Sequence, residues 1–82
     1  DINPQAPFHV LVIPKKHYSC INDIDDDELI AKLIKTARET AKKLNIEDGY
    51  RLVINTGSQA GQTVFHVHIH ILGGRPLLWP PG

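Results

Sequence analysis

The chain has 82 residues, nine acidic and nine basic. It is at most one small domain, and its charge balance argues against general affinity for nucleic acid or a membrane surface. The single Cys20 excludes an internal disulfide framework and fits a reducing compartment, which suggests a cytoplasmic protein, also nuclear in a eukaryote. These residues contain neither an apolar run long enough to span a membrane nor a signal-peptide pattern.

In chain order, Asp1 to Pro7 carries two prolines and an Asn3-Pro4 step and reads as a loop. This turn-like opening, in a chain without methionine, predicts that a further N-terminal part precedes Asp1. Phe8 to Ile13 is a near-continuous apolar run, expected as a strand covered on both faces and interrupted by His9. Pro14 ends it. Lys15, Lys16 and His17 then read as a basic, solvated turn.

Asp25 to Asn45 is predicted as a helix. Leu29, Ile30, Leu33, Ile34, Ala37, Ala41 and Leu44 recur at helical spacing and form one apolar stripe. Asp25 with Glu28 resembles a capping box, and the acidic run suits the positive end of the helix dipole better than it suits a metal site. Lys42 and Lys43 fall in the last turn, and Asn45 suits the left-handed position that ends a helix. Tyr50 to Asn55 is expected as a second strand. Thr56 to Gln62 is a Gly- and Ser-rich connection. It reads either as an ordinary hairpin link or as a backbone cradle for an anion, because glycine permits close approach of successive N–H groups.

Thr63 to Leu72 is expected as a strand on which His66, His68 and His70 alternate with Phe65, Val67, Ile69 and Ile71. Alternation sends the apolar set to a core and the imidazoles to the other face, about 6.6 Å apart. Packing gives no reason for that row, because each imidazole costs desolvation without adding apolar burial. Gly73-Gly74 ends the strand. The tail from Arg75 to Gly82 is too rich in proline for helix or central strand. Its Leu77, Leu78 and Trp79 have no nearby element to bury them, which suggests docking onto a second subunit.

Two chemistries fit the row. A zinc site is one, with Cys20, Asp1 or His9 supplying a further ligand. The outer histidines, however, lie about 13 Å apart along a straight strand, against Zn–N bonds of about 2.0 Å. The other is nucleophilic and acid–base catalysis on a phosphate ester or amide. One imidazole attacks phosphorus, a neighbour assists the leaving group, and the preceding loop, Asn55 and Thr63 hold the phosphate or sugar. This reading uses more of the chain.

His66-Val67-His68-Ile69-His70-Ile71-Leu72 resembles the motif of the histidine triad (HIT) superfamily at every position. Pro4-Gln5-Ala6-Pro7 with His9, Pro14-Lys15-Lys16-His17, the Gly61-to-His66 approach and the ending Trp79-Pro80-Pro81-Gly82 resemble its nucleotide-binding (HINT) branch. The resemblance covers essentially the whole chain.

It implies a single HIT domain over 1–82 with an α+β fold. A five-stranded antiparallel sheet carries a covering helix, and a homodimer joins two such sheets into ten strands. A helix and a hairpin normally precede the position of Asp1, so the domain is expected to be N-terminally incomplete. The resemblance further implies hydrolysis of purine nucleoside phosphoramidates to AMP or GMP and an amine, without metal or cofactor. His68 would be the nucleophile, its tautomer fixed by a backbone carbonyl such as that of His66. His70 would contact the phosphate and help the leaving group, with His66 and His9 as polar support. Asp1 and Ile2 would bind the ribose side. Asn55, Gly61, Gln62 and Thr63 would hold phosphate and sugar, and Trp79 would reach the partner's site. Thr63 stands where many relatives have Ser, keeping the hydroxyl and adding a methyl. Nucleotidyl transfer or dinucleoside polyphosphate cleavage, as in sister branches, fits the C-terminus less well. A nucleotide-binding scaffold with little turnover would use the same residues.

Overall fold

The computed structural model describes residues 3–82; Asp1 and Ile2, both expected at the ribose, lie outside the described residues. Three strands, β1 (Phe8–Val12), β2 (Tyr50–Val53) and β3 (Ile69–Gly73), form an antiparallel sheet in the order β1-β3-β2. One helix, α1 (Asp27–Lys43), covers one face of the sheet. This is the α+β arrangement expected. The described residues form three strands, where the resemblance implies a five-stranded sheet.

The register places Val10 and Leu52 on either side of Ile71, and Val12 opposite Ile69. Ile69 and Ile71 are fully buried beneath the helix. On the helix, Leu33, Ala37 and Ala41 point inward, and Ala37 and Ala41 have 0% exposure. Alanine at successive turns lets the helix axis approach the sheet closely, while Leu29, Ile30 and Leu44 pack around the margin. Ile34, assigned to the stripe, is largely exposed.

The cap lies one residue later than the sequence suggests. Asp26, not Asp25, accepts from the backbone N–H groups of Glu28 and Leu29 at 3.0 and 3.2 Å, so the helix begins at Asp27. Its other end follows expectation. Asn45 has φ 59°, and its N–H and that of Ile46 donate to the carbonyls of Lys42 and Ala41. This is a Schellman closure with buried Ile46 as its apolar plug.

The strand expected over Thr63 to Leu72 is shorter at its start, because β3 begins only at Ile69. Extending the β1–β3 register would set Pro14 opposite Val67, and proline has no N–H to continue the ladder. Val67 N–H donates instead to the Tyr18 carbonyl at 2.7 Å. Val67 is buried as expected, whereas Phe65 is 55% exposed and does not join the core. β1 and β2 likewise stop at Val12 and Val53, short of the predicted Ile13 and Asn55. Among the described residues, no helix is long and apolar enough to cross a membrane.

Candidate active site

Four of the chain's five histidines are tied to a second one in two pairs, and the fifth lies against one of them. Their protonation follows from the fixed donors and acceptors nearby. His68 Nδ1 lies 2.7 Å from the His66 carbonyl oxygen. A carbonyl only accepts, so Nδ1 carries the proton and the neutral ring's Nε2 keeps a free lone pair.

His66 Nε2 lies 3.2 Å from the Pro14 carbonyl and must donate there. Neutral His66 therefore accepts at Nδ1, from His17 Nδ1–H at 2.9 Å. The chain leaving β1 thus clamps the His66 ring at both nitrogens, which holds the peptide whose carbonyl fixes His68.

The second pair joins β1 to β3. Gln5 N–H donates to His9 Nδ1 at 3.0 Å, so the proton of neutral His9 sits on Nε2. That atom lies 2.8 Å from His70 Nδ1, which must accept. Neutral His70 then carries its proton on Nε2. Burial, followed by the charges of His68 and His9, lowers the His70 pKa below its ordinary 6.5, and burial also lowers that of His9. Both are therefore neutral near pH 7. The His68 and His70 rings meet edge to face with centroids 4.9 Å apart, so a lone pair and an N–H donor belong to adjacent rings.

His9 and His70 border an open cleft of about 420 Å³ on the sheet face away from α1, together with Asn55, Arg51 and Arg75; His68 lies outside its lining. Extending the β2–β3 register brings Asn55 opposite His68. Thr63 is exposed ahead of the triad.

The Gly-rich connection is built differently from an open anion cradle. The N–H groups of Ala60, Gly61 and Gln62 donate to the carbonyls of Gly57, Ser58 and Gly57 within the loop. Gly57 and Gly61, at φ 84° and 90°, permit that tight path. Gln62 is 3% exposed. Its Oε1 accepts from Gly57 N–H, and its Nε2 donates to the Ser19 and Val64 carbonyls. The Gln62 side chain, expected on phosphate or sugar, is therefore an internal staple, and the Gly61 N–H is likewise engaged.

Trp79 is 82% and Leu78 77% exposed, while Leu77 is partly covered at the cleft. Sequence reasoning missed His17, read as part of a solvated turn, and Arg75. The Pro-Lys-Lys-His stretch and the Gly-Gly-Arg stretch were the available signals. Among the described residues, no three His, Cys, Asp or Glu side chains stand close enough to share a metal ion.

Paired, tautomer-fixed histidines on this α+β frame define a histidine triad protein. The chain belongs to the HIT family, whose domain model matches residues 1–77. It is 55% identical to an uncharacterized HIT-like protein of Synechocystis, across all of this chain and 74% of the relative. A HIT family hydrolase from Legionella pneumophila superposes with TM-score 0.95 at 52% identity, over all of this chain and 76% of that one. A histidine triad nucleotide-binding protein from Candida albicans superposes with TM-score 0.80 at 31% identity, over 98% and 64%.

Proposed function

We propose that the protein is a purine nucleoside phosphoramidate hydrolase. It cleaves the P–N bond of an AMP- or GMP-amine conjugate through a nucleotidylated histidine. The observation that carries this reading is the 2.7 Å bond from His68 Nδ1 to the His66 carbonyl, which leaves Nε2 as a nucleophile. The hydrolase and nucleotide-binding names of the similar structures support the reaction class and the ligand class.

In the first step His68 Nε2 bonds to phosphorus, the P–N bond breaks, and the amine departs with a proton drawn from water. In the second, the hydroxide equivalent of that water bonds to phosphorus and the His68–P bond breaks. The net reaction consumes one water. His70 Nε2–H donates to a phosphoryl oxygen as charge builds on it. Asn55 and Thr63 hold phosphate and sugar from the β2 end and the approach to the triad. Asp1 and Ile2 serve the ribose. Trp79 and the exposed tail reach a second copy in a homodimer, and the setting is cytoplasmic.

The test is turnover of an adenosine phosphoramidate by the full protein beside His68→Ala. Release of AMP and amine that disappears in the variant is expected. Tight nucleotide binding without release would replace the hydrolase with a nucleotide-binding scaffold.

A further inference from the structure

Arg75 follows the Gly73-Gly74 turn, five residues beyond the last triad histidine, and its guanidinium meets carbonyl oxygens. Nε and Nη2 donate to the Gln5 carbonyl at 3.0 and 2.8 Å, and Nη1 donates to that of Pro76 at 2.9 Å. Gln5 is the residue whose N–H holds His9 Nδ1, and His9 Nε2 meets His70 Nδ1. A fork of two N–H groups on one carbonyl fixes position and angle together, as a single ammonium would not.

We propose that Arg75 is a positioning residue for His70. By holding residue 5 in place it keeps the Gln5 N–H on His9 and so keeps the proton of His70 on Nε2. The logic is one of exclusion. If His70 were protonated on Nδ1, His9 Nε2 would have to accept, and the His9 proton would move to Nδ1. There it would meet the Gln5 N–H head on, donor against donor. The relay thus disfavours both the other neutral tautomer and the imidazolium, in the same direction as the lowered His70 pKa. The charged or titratable groups around His70 are His9 from β1, His68 ahead of β3, and Arg51 and Arg75 across the cleft. Only Arg75 acts through the Gln5 peptide, because Arg51 Nη2 donates to the Leu78 carbonyl.

The consequence for turnover rests on the phosphoramidase reading; the tautomer itself does not. The experiment is therefore nitrogen-15 NMR of the histidine rings in the full protein, followed through pH, for the wild type, Arg75→Met and Arg75→Lys. The wild type should show one neutral His70 tautomer, protonated on Nε2. Arg75→Met should show a mixture and a His70 midpoint moved upward toward the ordinary value. Arg75→Lys, with one ammonium in place of the fork, should fall between. Should Arg75→Met fail to fold, Arg75→Lys decides. An unchanged His70 tautomer and midpoint in the folded variants overturns the proposal. Where the wild type turns over, kcat in Arg75→Met should fall roughly tenfold, the effect of one lost hydrogen bond, with KM little changed. A wild type without turnover would remove the phosphoramidase reading and leave the tautomer result to judge the relay.

Discussion

Replacing Gln62 by leucine separates a loop staple from a ligand contact. The buried amide makes three hydrogen bonds, to Gly57 N–H at 2.9 Å and to the Ser19 and Val64 carbonyls at 2.6 and 3.1 Å. Leucine is close in volume and makes none of them. At about 1 kcal/mol net per bond the loss is about 3 kcal/mol. Some is recovered where the Ser19 and Val64 carbonyls reach water, since both residues are exposed; some is added if the Gly57 N–H stays buried and unpaired. A total of about 2–4 kcal/mol is a large share of the roughly 5–15 kcal/mol that holds a domain folded. It corresponds to a fall in Tm on the order of 10–20 °C at this chain length. The assay is urea unfolding of the full protein with m compared between variants, so that a change in midpoint is read as stability. Gln62→Glu should be worse than leucine near neutral pH, because a carboxylate would face two carbonyl oxygens. Its deficit should shrink on acidification, when the protonated group can donate again. A Gln62→Leu protein within about 0.5 kcal/mol of wild type, the range of ordinary surface substitutions, would refute the staple. If nucleotide affinity fell at the same time, the side chain would be a ligand contact after all.

The two lowered histidines carry a stability consequence with a definite sign. Their folded pKa values lie below the unfolded value near 6.5, so the unfolded chain binds more protons as pH drops through that range. Stability should be full above pH 6.5 and decline below it, and the decline between pH 7 and 5 should be shallower in His70→Gln; an unchanged slope would remove His70 as a cause. Asp26→Ala should cost about 1 kcal/mol through loss of the helix cap and Asp25→Ala much less, as measured by thermal unfolding; equal costs would return the cap to Asp25. His17→Phe removes the donor to His66 Nδ1 while keeping a ring in place, and kcat should fall about 3- to 10-fold for a bond of about 0.5–1.5 kcal/mol. A KM effect alone would assign His17 to binding rather than to alignment.

Local rules carried the reading of the fold where they act alone. The stripe of α1, apart from the exposed Ile34, and the left-handed Asn45 depend on residues within two turns of one another, and both stand as expected. The strand through the triad did not. Valine and isoleucine between the histidines satisfy every local criterion for extended structure, and the chain there fails only for want of a partner. Whether a partner exists is decided by Pro14 just beyond β1, some fifty residues away in sequence, through a register that no local pattern specifies. The Gly-rich loop admits two readings for a related reason. Glycine permits a phosphate cradle and a self-bonded loop equally well, and the choice falls to Gln62, whose partners Ser19 and Val64 lie on different stretches of chain.

The early end of the ladder bears directly on the chemistry. In a regular strand, the His66 carbonyl would be committed either to a neighbouring strand or to solvent. With β3 starting at Ile69, that carbonyl turns to His68 Nδ1 of its own chain, and the His66 ring is released to bond Pro14 and His17. The same proline that ends β1 therefore does three things. It stops the ladder, supplies the acceptor for His66, and leaves the carbonyl that sets the His68 proton. Three alternating histidines on an uninterrupted strand would have equivalent surroundings and no defined tautomers. Breaking the strand between His68 and His70 gives them opposite ones, Nδ1–H on the first and Nε2–H on the second. A nucleophile and a hydrogen-bond donor side by side require that difference.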